Sequence, residues 1–599
     1  MSGIELVLLL LAVSAVLRIV ARRLGVPHPV LLAIGGLLIA FVPGLPRVEI
    51  EPDALFLIFV PPLLYWGARQ LSFRDFRHEL GPILRLAILM VLVTAASVAV
   101  VARALDPAFT WAAAFALGAI VAPPDSVAAL SVTRSLRGPR SISNILEGEG
   151  LLNDATALVT YRIAVAAAVS GTFAASDAVP AFLLSGAGGV VIGLAVGIVA
   201  LTLARLTLAA PVVANTFSLL TPFASYLAAD LLGASGVVAA VATGIYVGRH
   251  VPRLLQPETR VQNEAMWSVA SFLFESLIFI LIGLELPVVA RALASEPLGE
   301  LLREAGLITL CVIIVRFVWV WPSAYISRAL GRRLFHNQGP DRSWKAILFI
   351  GWAGMRGGES LVIALALPFT TASGAPFPAR EKIIFITFVV IFVTLVLQGL
   401  TVGPLLRVLH LHPDGRAEDE EAHARLVAVE AGLRALDEEA AAKDTYPEVV
   451  RYLRQRHRQR ARRWAAREQR RFRGRRHEGE HTHLATAPSH EAGELDDRRS
   501  TEYRRLRSKM IRGEQEALVK LRDEDVIGDD VMRRILHDLD LEAMLLGAPE
   551  PVMEPASEVS AAIARGEESD ERSKIPSPAV RTPDGAEDTR ERRGSREPR

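Results

Sequence analysis

Apolar runs of roughly 18 or more residues, each long enough to cross the hydrocarbon core of a bilayer, recur along the first part of the chain and almost vanish after about residue 410. No ordinary soluble enzyme tolerates that pattern. Thirteen candidate spans follow one another at 4–20, 28–46, 54–68, 82–103, 110–132, 146–170, 178–205, 211–232, 236–248, 265–288, 305–328, 346–369 and 382–409. The first has no basic residue before it and no small-residue cleavage site after it, so it reads as a span and not as a removable leader. The only cysteine, Cys311, lies inside an apolar run, which excludes a disulfide-built scaffold. With 66 basic against 64 acidic residues, the charge balance gives no support to nucleic-acid binding.

Alternate loops carry the arginines: Arg22 and Arg23, then Arg69, Arg74 and Arg77, then Arg134, Arg137 and Arg140, then Arg249, Arg253 and Arg260, then Arg328, Arg332 and Arg333. The positive-inside rule puts these loops and the tail in the cytoplasm and the N-terminus outside, in a cell inner or plasma membrane. The expected organisation is a membrane body over 1–409, a charged helical tail over 410–546 and a Pro/Glu/Ser/Arg-rich, disordered end over 547–599. Within the tail, 418–442 is acidic and alanine-rich, and 451–476 holds thirteen arginines. An arginine run is most often a solvated helix face; on the cytoplasmic side, contact with anionic lipid is the second reading. A helical hairpin over 501–546 has Leu506, Leu518, Leu521, Ile535, Leu539 and Leu545 for its apolar stripes.

The few charges inside spans carry the functional information. Each costs about 2.5–3.5 kcal/mol at mid-membrane on insertion scales, so it must pair, face water or stay neutral. Asp125, Glu149, Asp154, Arg162, Arg316, Arg356 and Glu359 are such groups, with Glu275 and Glu285 in a tenth span. For Glu285 and Arg162 a solvated span end is an equal reading. The fifth span, ALGAIVAPPDSVAAL, should break at Pro123 and Pro124, which remove two backbone donors. The twelfth, GWAGMRGGESLVIALALP, is loosened by Gly351, Gly354, Gly357 and Gly358. Interrupted spans in corresponding positions are where a transporter holds its ion. By charge, Asp125 suits a positive N-terminal helix end and Arg356 a negative C-terminal end. The sixth span begins NILEGEGLLNDATALV, in which Glu149 and Asn153, and Gly150 and Asp154, form adjacent helical faces. A carboxylate out of water favours its protonated form and a cation beside it favours the charged form, so one site can hold either. That competition is the least machinery that cation/proton exchange requires.

The segments FVPPLLYWGA, APPDSVA, LEGEGLLNDATALV and GMRGGESLVIALALP, in this order, resemble the monovalent cation/proton antiporters of the bacterial NhaP and animal sodium/proton exchanger kind. The resemblance covers about 5–408. It implies an all-α inverted-repeat bundle of about thirteen transmembrane helices, two of them discontinuous and crossed, in a homodimer without cofactors. It implies that Asp154 binds cation or proton with Asn153 in support, that Asp125 compensates the crossed helix ends, that Glu149 and Arg316 form a structural ion pair, and that Arg356 stabilises the crossing. The chain departs from the pattern at three places: Gly150 replaces a serine ligand, Trp66 replaces an acid, and Pro124 replaces a threonine, though the backbone carbonyl there could still coordinate. Glu359, where relatives commonly carry a small or apolar residue, could supply a missing oxygen or simply pair with Arg356.

The expected function is therefore sodium/proton antiport by alternating access at one buried aspartate, electroneutral beside Asn153. The nearest alternative is a potassium-preferring or electrogenic exchanger, and the more distant one an ion channel. A membrane hydrolase lacks a nucleophile–histidine pair in the spans. His477, His481 and His483 look metal-like in spacing, but nothing fixes a geometry around them, so no metal beyond the transported cation is expected.

Overall fold

The computed structural model describes residues 3–24, 28–40, 52–125, 129–130, 133, 138–171, 175–207, 210–293, 296–334, 343–411, 415–443, 445–472 and 497–547. Among them the secondary structure is helical, with one isolated bridge between Thr370 and Pro376. The histidine cluster at 477–483 and the end from 548 onward lie outside the described residues.

The membrane body consists of α1 (Gly3–Leu24), α2 (His28–Ala40), α3 (Pro52–Gln70), the short α4 (Phe73–His78), α5 (Leu80–Leu105), α6 (Trp111–Val121), α7 (Arg140–Ser170), α8 (Ala175–Leu206), α9 (Pro211–Leu231), α10 (Gly236–Leu254), α11 (Pro257–Ala292), α12 (Leu298–Leu334), α13 (Trp344–Trp352), α14 (Gly358–Leu365) and α15 (Arg380–Val408). Among the described residues, five segments are both long and apolar enough to span unaided, in α5, α8, α9, α12 and α15. α6 has only 11 residues because Pro123 and Pro124 interrupt its run, and the first third of α11 is charged.

Local chemistry sets the helix ends. Thr110 caps α6 by accepting from the Ala113 amide at 3.2 Å, and Gly171, at φ 74°, closes α7 in the left-handed conformation that glycine adopts without strain. Packing then sorts the body into two halves. α5, α6, α7, α12, α13 and α15 pack mainly on one another, as do α1, α2, α3, α8, α9, α10 and α11. The short α14 touches both halves, against α6 and α15 on one side and α3 and α11 on the other.

The tail contains α16 (Arg416–Ala442), α17 (Pro447–Phe472), α18 (Asp497–Asp523) and α19 (Asp529–Gly547). Leu518, Leu521, Ile535 and Leu539 join Ala424, Ala428 and Ile511 in one apolar core, and Leu506 joins Leu436, Leu453 and Met510 in another. Leu545 corrects the expected stripe: it is 77% exposed, because it lies off the face on which Ala543 and Leu546 still pack against the core.

A charged cluster is buried in the tail as well. Arg507 donates to Glu514 at 2.6 Å and to both Glu542 oxygens at 2.7 Å, while His457 Nε2 lies 3.3 Å from Glu514. Burial alone would raise the Glu514 carboxyl, but Arg507, helped by His457 and Arg460, outweighs it and holds the group at about 2. A depressed carboxylate contributes stability above its unfolded value, 4.5, that is lost as pH falls through the folded one. Hydrogen-exchange protection of α16 and α18 should therefore fall between those two pH values, and Glu514→Gln should remove much of that dependence.

The tail docks on the body through ion pairs. Arg74 makes two bonds to Glu420, at 2.9 and 3.0 Å, and Arg140 donates to Glu420 at 3.0 Å, to Asp75 at 2.9 Å and to Asp530. Arg260 grips both oxygens of Asp540, Arg253 pairs with Asp523, and Arg533 donates to the Gln70 carbonyl at 2.6 Å. Against a burial penalty, Asp530, Asp75 and Glu420 hold the Arg140 guanidinium above its ordinary range.

Candidate functional site: a crossing of two broken helices

After Val121 the chain leaves helical geometry through Pro123 and Pro124, and the Asp125 amide donates to the Met355 carbonyl at 2.7 Å. Met355 lies in the break between α13 and α14, so the two interrupted runs are joined by backbone at their gaps. A side chain at Gly357 would come within 2.6 Å of the Asp125 Cβ and carboxyl carbon, so only glycine lets the two strands of chain approach this closely. The Asp125 carboxyl consequently sits at the head of α14, where Gly357 is the N-cap and the backbone amides present partial positive charge.

Arg356 lies at the opposite ends. Its Nε donates to the carbonyl of Val121, the last residue of α6, at 2.8 Å, its Nη1 donates to the Gly354 carbonyl, and its backbone amide donates to Thr394 Oγ1 at 3.1 Å. The side chain is 1% exposed. Glu149 and Arg316, each 1% exposed, form a two-pronged pair at 2.6 and 3.0 Å. Arg316 also donates twice to the Ile350 carbonyl, at 3.0 and 3.2 Å, satisfying an acceptor in the last turn of α13. Its Cδ lies against Gly354, where any side chain would collide. Simple pairing thus accounts for one acid–base couple of the crossing, and helix-end carbonyls for the other arginine.

Asn153 and Asp154 project from α7. Asn153 is fully buried, and its Nδ2 donates to the Pro124 carbonyl at 2.9 Å, tying α7 to the gap after α6. Its Oδ1 has no hydrogen-bond partner among the described residues, which leaves an oxygen for a ligand. Asp154 retains partial exposure, and its carboxyl lies within hydrogen-bonding reach of Glu359 with the Asp125 charge nearby. Glu359 therefore faces Asp154. No pair between Glu359 and Arg356 accompanies the helix-end contacts of Arg356 described above. Gly150 is buried one turn before Asp154 and presents no oxygen of its own beyond backbone.

A cavity of about 410 Å³ opens beside α1, α3 and α11, lined by Trp66, Glu264, Ser271, Phe272 and Glu275 and reached by His537 of α19. Trp66 stacks on Trp267 with rings 5.5 Å apart, so the position read as a missing acid is an aromatic wall. Glu275 bonds His28 Nε2 at 3.3 Å, and its charge acts on Glu359, which connects the cavity electrostatically with the crossing. Sequence reading flagged Glu275 as an intramembrane charge but gave it no partner. Only three-dimensional contact between α2 and α11 supplies one. Arg162 pairs with Asp230 at 3.2 Å on a surface where both side chains are over 40% exposed, away from the crossing. The Glu285 side chain and residues 126–128 lie outside the described residues.

An all-helical bundle whose buried charges gather at two interrupted, crossed helices is the build of a multi-pass membrane transporter, not of an enzyme. The chain belongs to the sodium/hydrogen exchanger family: the family described as "Sodium/hydrogen exchanger, transmembrane" matches residues 8–408. An uncharacterised Na(+)/H(+) exchanger of Mycobacterium tuberculosis is 33% identical over 553 residues, 91% of this chain and 97% of its own length. A sodium, potassium, lithium and rubidium/H(+) antiporter of Bacillus pumilus is 32% identical, over 67% of this chain and 60% of its own. The sodium proton antiporter of Methanocaldococcus jannaschii shares the fold, with a TM-score of 0.53 at 21% identity, covering 68% of this chain and 97% of that one. The protein is a cation/proton antiporter embedded in a membrane.

Proposed function

We propose that the protein exchanges sodium for protons, one for one, by exposing Asp154 alternately to the two sides of the membrane. The observation that carries this reading is the contact between Asp154 and Glu359 at the crossing. Two touching carboxyls repel when both are charged, so the pair holds one shared proton when no cation is present. A monovalent cation brings the same charge as that proton and displaces it, which leaves the net charge of the site unchanged and the cycle electroneutral. Asn153 supports the site through the Pro124 carbonyl and offers its free Oδ1, Asp125 and Arg356 balance the helix ends, and Glu149 with Arg316 holds the scaffold.

In this reading Glu359 supplies the ligand oxygen that Gly150 and Trp66 do not. The arginine bias of alternate loops puts the N-terminus outside and the tail in the cytoplasm, and the working unit is a homodimer. The exposed arginines of α17, including Arg451, Arg456, Arg458 and Arg462, suit anionic headgroups. Potassium is the second reading, favoured by the breadth of ions in the name of the Bacillus pumilus relative.

Proteoliposomes loaded with protein, with proton flux followed on adding sodium, potassium or lithium, test the function. Sodium-dependent flux that neither creates nor responds to membrane potential is expected. Flux without proton coupling would indicate a channel instead. Glu359→Val should raise the sodium half-saturation by on the order of tenfold, as loss of one charge-assisted contact of about 1.4 kcal/mol would, and should change the order of preference among the three cations. An unaltered preference and affinity would exclude Glu359 from the ligand set.

A further inference from the structure

The helical tail touches both halves of the membrane body through the α18–α19 hairpin and the start of α16, which packs on it. Toward the first half, Glu420 and Asp530 hold Arg140 at the head of α7, the helix that carries Asp154, and Glu420 also holds Arg74 on α4, which packs on α5 and α7. The Asp529 carboxylate accepts from the Phe73 amide at 3.0 Å in the same place. Toward the second half, Asp523 pairs with Arg253 and Arg522 donates to the Arg249 carbonyl at 2.9 Å, both at the end of α10. Asp540 pairs with Arg260, and His537 lies 3.5 Å from Glu264, both near the start of α11. The hairpin itself is stiff, since Leu518, Leu521, Ile527, Val531, Ile535 and Leu539 form a packed core around its turn. One rigid piece is thus fastened to two pieces that also meet where α15 packs on α2 and α11, where α7 packs on α3 and α10, and through α14.

We propose that the tail is a built-in brake: by pinning the head of α7 to α10 and α11, it opposes the relative movement of the two halves that exposes Asp154 to alternate sides. The proposal rests on the alternating-access reading. Ion pairs of this sort are partly exposed and individually modest, but several on one stiff element act together. Releasing one side should raise turnover without altering how tightly the cation binds, because Asp540 and Arg260 lie outside the carboxylate site. The fastening on α7 should behave the same way when Glu420 is neutralised.

The test uses the full chain in proteoliposomes. Wild-type flux is measured first, and its absence would defeat the antiport reading itself and not the brake. Given wild-type exchange, Asp540→Arg and Glu420→Gln should each raise the maximal rate by on the order of fivefold, the low end of coupling between linked elements, with the sodium half-saturation unchanged. Arg260→Asp combined with Asp540→Arg re-forms the pair in reverse and should return the rate to the wild-type value. Hydrogen exchange across 249–264 and 529–547 reports release independently and should increase in the single variants and recover in the swap. Release without a change in rate would overturn the proposal, as would a loss of rate that the swap does not rescue.

Discussion

Replacing Asp154 with Asn is expected to reduce sodium-dependent proton flux to that of protein-free vesicles, with the protein still folded. The change keeps the volume and one acceptor oxygen of the side chain, so α7 loses no packing against α6. What it removes is the exchangeable proton and the charge that competes for it. Glu359 remains opposite, but it would then face an amide that cannot share a proton with it and brings no charge of its own to hold a cation. Asn153, one residue earlier, shows that an amide is acceptable in this packing: it bonds the Pro124 carbonyl and is fully buried. Retained flux would remove Asp154 from the centre of the cycle and pass the role to Glu359. The measurement is dye-reported proton flux, beside size-exclusion profiles of both proteins.

Replacing Glu149 with Gln should destabilise the body by about 3–5 kcal/mol, the usual cost of leaving one member of a buried ion pair without the other. Both side chains are 1% exposed, so water cannot take over from the lost carboxylate. The Ile350 carbonyl would still accept from Arg316, but a neutral carbonyl does not neutralise a guanidinium. Converting the pair together, Glu149→Gln with Arg316→Met, should cost less than the single change, because no bare charge is then buried. Thermal unfolding in detergent, read by tryptophan fluorescence, distinguishes the two. An equal loss in single and double variants would mean that packing against Gly354, and not charge, is what the pair supplies.

Much of the body was legible in the chain because its signals are local. Apolar run length marked the helices, and Pro123, Pro124 and the glycines of GMRGG marked the gaps. Charges inside apolar runs pointed at the residues that gather there. The contacts between them were a different matter. Asp154 and Glu359 are 205 positions apart and meet only because two gaps cross, so no period or spacing encodes their meeting. Arg356 was expected to compensate a helix end, yet which carbonyls it reaches, those of Val121 and Gly354, depends on where α6 stops. The tail misled in another way. Its first helical stretch read only as acidic and alanine-rich, while Glu420 and Asp540 are engaged by Arg74, Arg140 and Arg260, far away in the chain.

Those docked arginines have a consequence in time as well as in space. A ribosome makes the loops bearing Arg74, Arg140, Arg253 and Arg260 hundreds of residues before Asp523, Asp530 and Asp540 exist. While the membrane helices are being threaded, these guanidiniums lack their tail partners and can act on the direction of insertion. Only when synthesis nears its end do their carboxylate partners arrive and neutralise them. The same side chains can therefore serve first as signposts for a growing chain and afterwards as sockets for its last folded segment.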